Sequence, residues 1–224
     1  MKTVQIKNKV TKIASILAVI GCFMITGMGT YVIASGSEYF ALPDKYTQVR
    51  YHEDGFNVST MGFIQSRSVD KVIKVVHVLG NIAKKQGGKG VLIVPAANVE
   101  QHSNPDSLYS GDPDDYTVVA YYSIDKKVIV LGDYANVDKN LCHEMGHFVD
   151  YDCLGEGNSY SETDEWQSIV AEEYTNTNWD MYYSRDVEFF AETFALYYYN
   201  PAYLQEHCPR AYAVMDKLVA QYNS

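Results

Sequence analysis

Five consecutive residues, His143-Glu144-Met145-Gly146-His147, carry the clearest chemical pattern in the chain. On a helix, positions i and i+4 lie on one face, so both imidazoles can bind the same metal ion. Glu144 is rotated away from that face and can act as a general base on a water molecule without binding the ion itself. The pattern is typical of zinc hydrolases. We therefore predict one Zn²⁺ per chain, with His143 and His147 as metal ligands and Glu144 as a catalytic residue.

The competing interpretation is a surface helix that carries two unrelated histidines. The neighbouring residues argue against it, because Leu141, Met145, Phe148 and Val149 form a helical apolar stripe that predicts burial. Asp138, just upstream, is the expected N-cap. A buried helix with two histidines on one face favours the metal site.

A catalytic zinc site needs a third protein ligand and an open position. In one common solution the chain continues as x-x-Gly-x-x-His, but Asp150 and Cys153 occupy those two positions. In the other, a glutamate comes from a downstream helix, and Glu188 and Glu192 lie at i and i+4 among aromatic residues. Because a carboxylate near an apolar face needs a partner, we predict Glu188 as the third ligand and Glu192 as the acceptor that orients a histidine. The alternative is two exposed acids on an amphipathic helix.

Asp150 and the cysteines leave choices open. Asp150 lies at i+3 from the second histidine, where it could accept a hydrogen bond from an imidazole or simply be a polar residue at the helix end. Cys142 is expected to be a buried small residue. A bridge between Cys153 and Cys208 is compatible with an oxidising compartment, but the sequence does not decide it.

The elements that must position these residues indicate an α+β fold. We predict a small strand-rich N-terminal lobe with one long helix, followed by a helical C-terminal lobe that carries the His-Glu-x-x-His helix. Apolar spacing predicts the long helix at residues 68–86, with Ser68 as its cap. Residues 91–94 predict a buried strand, and residues 117–122 with 128–131 predict a β-hairpin. One strand of that hairpin could lie at the sheet edge and pair with an extended peptide.

A polar loop and a series of helices complete this picture. Residues 98–115 contain several turn signals and are a candidate for substrate contacts. Helices are expected around residues 165–174, at 186–199, and through 212–219.

The N-terminus is typical of a secretory signal peptide. Four lysines precede an apolar run at residues 13–33, and Val32 and Ala34 satisfy the small-residue rule for cleavage before Ser35. We predict a signal peptide at residues 1–34 and a zinc metalloprotease catalytic domain at residues 35–224, secreted and extracellular. The alternatives are retention of the run as a membrane anchor and acylation at Cys22.

The net charge of the chain limits the kinds of molecule that it is expected to bind. Residues 1–34 hold four of the 18 Lys+Arg and none of the 28 Asp+Glu, so the remainder is strongly acidic. An acidic surface repels phosphate backbones, so we expect no nucleic-acid partner. We predict a monomer that acts on a protein or peptide substrate, without stable membrane association after removal of the signal.

Four motifs occur in one order and resemble the catalytic domain of anthrax lethal factor and the smaller secreted Pro-Pro endopeptidases. They read H-E-M-G-H-F-V-D, W-Q-S-I-V-A-E-E, E-F-F-A-E and P-R-A-Y, and begin at His143, Trp166, Glu188 and Pro209. The resemblance covers the chain well from Cys142 onward. It implies a zincin-like fold and a gluzincin-type endopeptidase.

The resemblance also implies roles for particular residues. The ligands would be His143, His147 and Glu188, and the general base Glu144. A tyrosine upstream of the ligand glutamate would stabilise the oxyanion or protonate the leaving group. Met181 stands at the family spacing, and Tyr182 and Tyr183 directly follow it, so both are candidate catalytic residues, with Tyr182 preferred.

The predicted function is a secreted zinc-dependent metalloendopeptidase. The resemblance further implies cleavage of proline-flanked bonds in surface or adhesion proteins. The loop at residues 98–115 and the pair Tyr121-Tyr122 are candidates to shape such a cleft. The alternatives are a non-catalytic secreted peptide-binding module on the same scaffold, and an effector that acts on host proteins with the same chemistry.

Overall fold

A five-stranded sheet and seven α-helices make up the part of the chain that the computed structural model describes, namely residues 47–53, 56–86, 90–96, 99, 118–124, 126–154 and 158–224. The predicted signal peptide at residues 1–34 lies outside these ranges. The predicted substrate loop at residues 98–115 also lies outside them, apart from Val99. The signal peptide and the start of the catalytic domain at residue 35 therefore stay predictions.

The sheet is mixed and runs in the order β1-β2-β3-β5-β4. Strands β2, β3 and β5 are parallel to one another, whereas β1 and β4 pair antiparallel with the strands beside them. The central strand β3 is buried along its whole length, as its continuous apolar run predicts. Strand β4 ends the order on one side. The strands are Thr47–Glu53 (β1), Phe56–Met61 (β2), Gly90–Val94 (β3), Ala120–Ser123 (β4) and Val128–Gly132 (β5).

The single long helix predicted at residues 68–86 is two helices. The first, α1, spans Ser66–Leu79, and the second, α2, spans Asn81–Lys85. Gly80 separates them with a φ of 54°, a left-handed conformation that glycine adopts without strain. Ser68 is not the cap, because the helix begins at Ser66 with Gln65 as its N-cap. The Ser68 hydroxyl, in the first turn, donates to the carboxylate of Asp133.

The remaining helices form the C-terminal half. The His-Glu-x-x-His helix, α3, begins at Val137, so Asp138 lies in its first turn and not at the N-cap, which is Asn136. Asp138 instead contacts Lys71 of α1 at 3.4 Å. The predicted helix at residues 186–199 is confirmed. The five helices are Val137–Asp152 (α3), Asp164–Glu173 (α4), Asp186–Tyr199 (α5), Pro201–His207 (α6) and Pro209–Asn223 (α7).

Helices α3 and α5 make the most extensive helix–helix contact among the described residues, and a glycine allows their close approach. A Cβ added at Gly146 would lie 2.7 Å from the Cα of Ala191 and 3.0 Å from its carbonyl oxygen. Aromatic side chains of α5, Phe189, Phe190 and Phe194, are fully buried beneath this contact. The strand-rich first half and helical second half confirm the α+β prediction, and they pack as one unit, Thr47–Ser224.

The structure also tests the predictions for the cysteines. Cys142, Cys153 and Cys208 are all free, so no bridge joins Cys153 to Cys208. Burial raises the pKa of the Cys142 thiol to about 12, as expected for an inert core residue.

In the described ranges, none of the helices has the length and apolar character that crossing a bilayer requires.

Candidate metal centre

Three side chains meet on the facing sides of α3 and α5. His143 and His147 come from α3, Glu188 comes from the first turn of α5, and their ligand atoms all lie within 4.8 Å of one another. The Oε2 atom of Glu188 is 3.2 Å from Nε2 of His143 and 3.7 Å from Nε2 of His147. The structure therefore brings together the three residues that the sequence singled out as ligands.

This donor set fits zinc. Nitrogen and oxygen ligands at about 2.1 Å from a tetrahedral zinc ion lie roughly 3.4 Å from one another. The two measured separations, 3.2 and 3.7 Å, bracket that value. Two imidazoles and one carboxylate are also a combination found in catalytic zinc sites, where a fourth position stays open.

The position of Glu188 depends on how α5 begins. The indole of buried Trp166 on α4 donates to the carbonyl of Asp186, which fixes the first residue of α5. Asp186 and Glu188 both lie in the first turn, where the helix dipole favours negative charge. The second carboxylate oxygen of Glu188, Oε1, faces Nη2 of Arg185 at 3.6 Å.

Glu192 lies one turn further along α5 and holds the other side of His143. Its Oε2 atom accepts a hydrogen bond from Nδ1 of His143 at 3.2 Å, which leaves Nε2 directed toward Glu188. Its Oε1 atom contacts Nζ of Lys139 at 3.0 Å. A carboxylate that accepts from the far nitrogen of an imidazole fixes the ring and its tautomer.

Glu144 is buried and lies beside the edge strand of the sheet. The backbone N–H of Tyr122, in β4, donates to its carboxylate. Burial is the main effect on this group, and it raises the pKa of Glu144 to about 7 despite the nearby charge of His143. A carboxylate with a pKa near neutrality can accept and return a proton under ordinary conditions.

The pKa values within the cluster depend on burial and on the contacts among its members. Burial lowers the pKa of His147 to about 4. Burial also acts to lower the pKa of His143, but hydrogen bonds to Glu188 and Glu192 outweigh it and raise that pKa to about 10. Burial acts to raise the pKa of Glu188, yet the two imidazoles hold it at about 2. The two carboxylates therefore favour the protonated form of His143, and a metal ion at Nε2 would have to displace that proton.

The two candidate tyrosines lie in a short 3-10 turn, Met181–Ser184, that leads into α5. The Tyr182 hydroxyl hydrogen-bonds to Glu188. The Tyr183 ring packs edge-on against His143, with 6.1 Å between ring centroids, and against Trp179. Both rings are therefore at the cluster, and Tyr182 is the one whose hydroxyl contacts a ligand residue.

Asp150 has a structural role away from the imidazoles. Its two carboxylate oxygens accept from the backbone N–H and the hydroxyl of Ser161, both at 2.7 Å. These bonds join the end of α3 to the 3-10 turn Tyr160–Glu162. The sequence left two interpretations of Asp150 open. The structure agrees with the second, a polar residue at the end of the helix.

Sequence reasoning did not find Arg185, Lys139 or the Tyr122 amide. Arg185 precedes Glu188 by three positions, a spacing that brings side chains together on a helix and could have been noticed. Lys139 reaches Glu192 across the interface between α3 and α5, and the Tyr122 amide reaches Glu144 from the sheet. Contacts between elements distant in sequence leave no local signal.

The comparison with protein families agrees with this geometry. A sequence model of the family described as anthrax toxin lethal factor, N- and C-terminal domain, matches residues 107–218. That range contains both histidines of the cluster, Glu144, Glu188 and the two tyrosines. No curated protein matches the chain.

Proposed function

The chain belongs to the anthrax toxin lethal factor family, and we propose that it is a zinc-dependent metalloendopeptidase. The observation that carries the proposal is the convergence of His143, His147 and Glu188 within 4.8 Å, with buried Glu144 beside them. A structural zinc site would be expected to close its fourth position with a further protein ligand. Among the described residues, the candidate metal-binding group has only these three members.

The two histidines and Glu188 would hold the ion. Zinc bound there would supply a Lewis acid that polarises the scissile carbonyl and lowers the pKa of water. Glu192 would keep Nε2 of His143 directed into the site through its bond to Nδ1. Because orientation is provided before the substrate arrives, little reorganisation is needed during the reaction.

Glu144 would move the proton. In its ionised form it takes a proton from the attacking water, and in its protonated form it donates that proton to the leaving amine. Burial acts to raise the pKa of Glu144, which favours acceptance of the proton from water. The Tyr182 hydroxyl would donate to the oxyanion of the tetrahedral intermediate, a contact worth about 3 kcal/mol in comparable enzymes. Its hydrogen bond to Glu188 supports this choice over Tyr183.

The substrate would be an extended peptide paired with β4. Among the described residues this strand ends the sheet order, and the Tyr122 amide points from it toward Glu144. Strand addition at such an edge supplies main-chain hydrogen bonds, and would bring the scissile bond beside the base. Three further parts of the proposal rest on the sequence alone. They are the selection of proline-flanked bonds in surface or adhesion proteins, secretion after cleavage before Ser35, and action as a monomer.

The test is peptide cleavage with and without metal. The protein, expressed from Ser35, is incubated with a peptide library that includes proline-flanked sequences, and the products are read by mass spectrometry. We expect cleavage that stops with a chelator and returns with Zn²⁺. Glu144→Gln should lose about 10²–10⁴-fold in kcat/KM while it still binds zinc, because only the proton transfer is removed.

The control is Glu206→Gln, which makes the same chemical change at an exposed glutamate on α6. It should retain full activity. Binding of library peptides without any cleavage by the wild type would favour the peptide-binding module instead. Full activity in Glu144→Gln would remove Glu144 as the base.

A further inference from the structure

The two carboxylates of α5 near the metal centre share a pattern. Each gives one oxygen to an imidazole and the other to a basic side chain. In Glu188, Oε2 faces the histidines and Oε1 faces Nη2 of Arg185 at 3.6 Å. In Glu192, Oε2 faces His143 and Oε1 faces Nζ of Lys139 at 3.0 Å. The two basic residues differ in what else they contact.

Arg185 contacts the tyrosine as well as the carboxylate. Its Nε–H donates to the carbonyl of Tyr182 at 3.3 Å, and its guanidinium carbon lies 4.1 Å from the centroid of the Tyr182 ring. The Tyr182 hydroxyl in turn hydrogen-bonds to Glu188. Arg185, Tyr182 and Glu188 therefore each contact the other two.

We propose that Arg185 is a positioning residue of the metal centre. It engages Oε1 of Glu188, so that only Oε2 faces the imidazole pair, and it holds Tyr182 against the same carboxylate. The inference rests on the proposed function and deepens it, because it assigns the geometry of a ligand and of the candidate oxyanion donor to one side chain.

The competing effect is charge alone. A guanidinium repels a cation and competes with it for Glu188, so a purely electrostatic account makes Arg185 unfavourable for zinc. The side chain is 38% exposed, so water and salt screen part of this repulsion, although the Nη2 atom that faces Glu188 is buried. Positioning and repulsion predict opposite changes when the residue is replaced, so the experiment separates them.

Lysine cannot reproduce these contacts. The arginine fork directs Nε to the Tyr182 carbonyl and Nη2 to Glu188 at the same time, and its central carbon lies over the Tyr182 ring. An ammonium keeps the charge but has no second nitrogen and no plane. Arg185→Lys therefore tests the geometry, whereas Arg185→Met removes both geometry and charge.

The first measurement is the zinc dissociation constant of the metal-free protein, by competition with a chromophoric chelator. If Arg185 positions the site, Arg185→Lys and Arg185→Met should both bind zinc about 10–100-fold more weakly, the usual effect of losing a partner that orients a ligand. The control is Arg67→Met, which removes an exposed arginine of α1 and should bind as the wild type does.

Two results would overturn the inference. In the first, Arg185→Lys has the zinc affinity of the wild type and Arg185→Met binds zinc more tightly, which is the result that charge alone predicts. The other is wild-type affinity in both variants. A wild type that does not bind zinc would instead count against the proposed function and leave the Arg185 contacts without a metal to position.

The second measurement separates positioning from a general loss of structure. Urea unfolding of the metal-free variants should match the Arg67→Met control, and at saturating zinc the variants should show a lower kcat with an unchanged KM. In the cobalt(II)-substituted protein, the visible absorption bands should change in both variants, because the ligand geometry of Glu188 changes. A cobalt spectrum identical to that of the wild type would contradict the role.

Discussion

Two regions of the helical half bury acidic side chains, and they satisfy those acids differently. At the metal centre, Glu188 and Glu192 face imidazole nitrogens and basic side chains. At the other region, where the ends of α3 and α4 meet their neighbours, Asp150 accepts from Ser161, and Glu173 accepts from the backbone N–H groups of Arg210 and Ala211. We call the second region the anchoring region.

We interpret the difference as one between acids that hold the fold together and acids that would bind or orient a metal ion under the proposed function. Backbone N–H groups are fixed donors. Glu173 therefore caps the first turn of α7 and accepts from N–H groups that have no partner within the helix. Imidazoles can exchange a proton for a metal ion, so Glu188 is satisfied in either state. Burial alone therefore does not identify a functional acid, whereas the chemical type of its donors does.

The largest effect that would sharpen this contrast comes from matched substitutions in the two regions. Glu188→Gln removes a ligand and should weaken zinc binding by more than about 1,000-fold, since losing partners that only orient ligands gives about 10–100-fold. Glu173→Gln makes the same change in the anchoring region and leaves one N–H of α7 facing an amide NH₂. It should lower the free energy of unfolding by about 1–3 kcal/mol.

Both variants are measured by chelator competition and by urea unfolding of the metal-free protein. The zinc affinity of Glu173→Gln should stay within about twofold of the wild type, well inside the effect of a ligand's orienting partner. Equal losses of zinc affinity in the two variants would abolish the distinction between the regions.

Gly146 tests whether the helix contact itself sets the metal centre. Gly146→Ala would place a Cβ against the backbone of Ala191 and force α3 away from α5. We expect a loss of about 3 kcal/mol or more in the free energy of unfolding, together with weaker zinc binding, because the histidines and Glu188 lie on opposite sides of that contact. Helix propensity alone predicts the opposite sign, a gain of up to about 1 kcal/mol, so increased stability would show that the contact is not tight.

The sequence predicted those parts of the molecule whose signals are local. The buried strand β3 follows from its continuous apolar run, and the bounds of α5 follow from apolar spacing and from Pro201, two residues after its last residue, which cannot continue a helix. The break at Gly80 was missed because the apolar face continues on both sides of it, and periodicity does not report φ.

At the site, the same division holds. The spacing of His143 and His147 and the pair Glu188 and Glu192 were readable because each is an i, i+4 pattern on one helix. The crossing of α3 and α5 decides which carboxylate faces which imidazole nitrogen. It also decides the contact of Lys139 with Glu192. Single-sequence patterns carry no information on that crossing.

The smallest effect concerns the pH dependence of the anchoring region. Burial raises the pKa of Asp150 to about 6, although the bonds from Ser161 act to lower it. Because the folded protein holds this proton more tightly than the unfolded chain, the associated stability is fully present below about pH 4 and is lost as the pH rises through about 6. The expected loss is roughly 2–3 kcal/mol in the free energy of unfolding of the metal-free protein.

Asp150→Asn isolates this contribution, because an amide can accept from the Ser161 N–H and donate to its hydroxyl without titrating. The difference in unfolding free energy between variant and wild type, measured by urea at intervals from pH 4 to 7.5, should shift in favour of the variant by roughly 2–3 kcal/mol across that range. Parallel pH curves would mean that Asp150 is ionised in the fold throughout. Its fixed donors, the backbone N–H and the hydroxyl of Ser161, would then offset the cost of burying the charge.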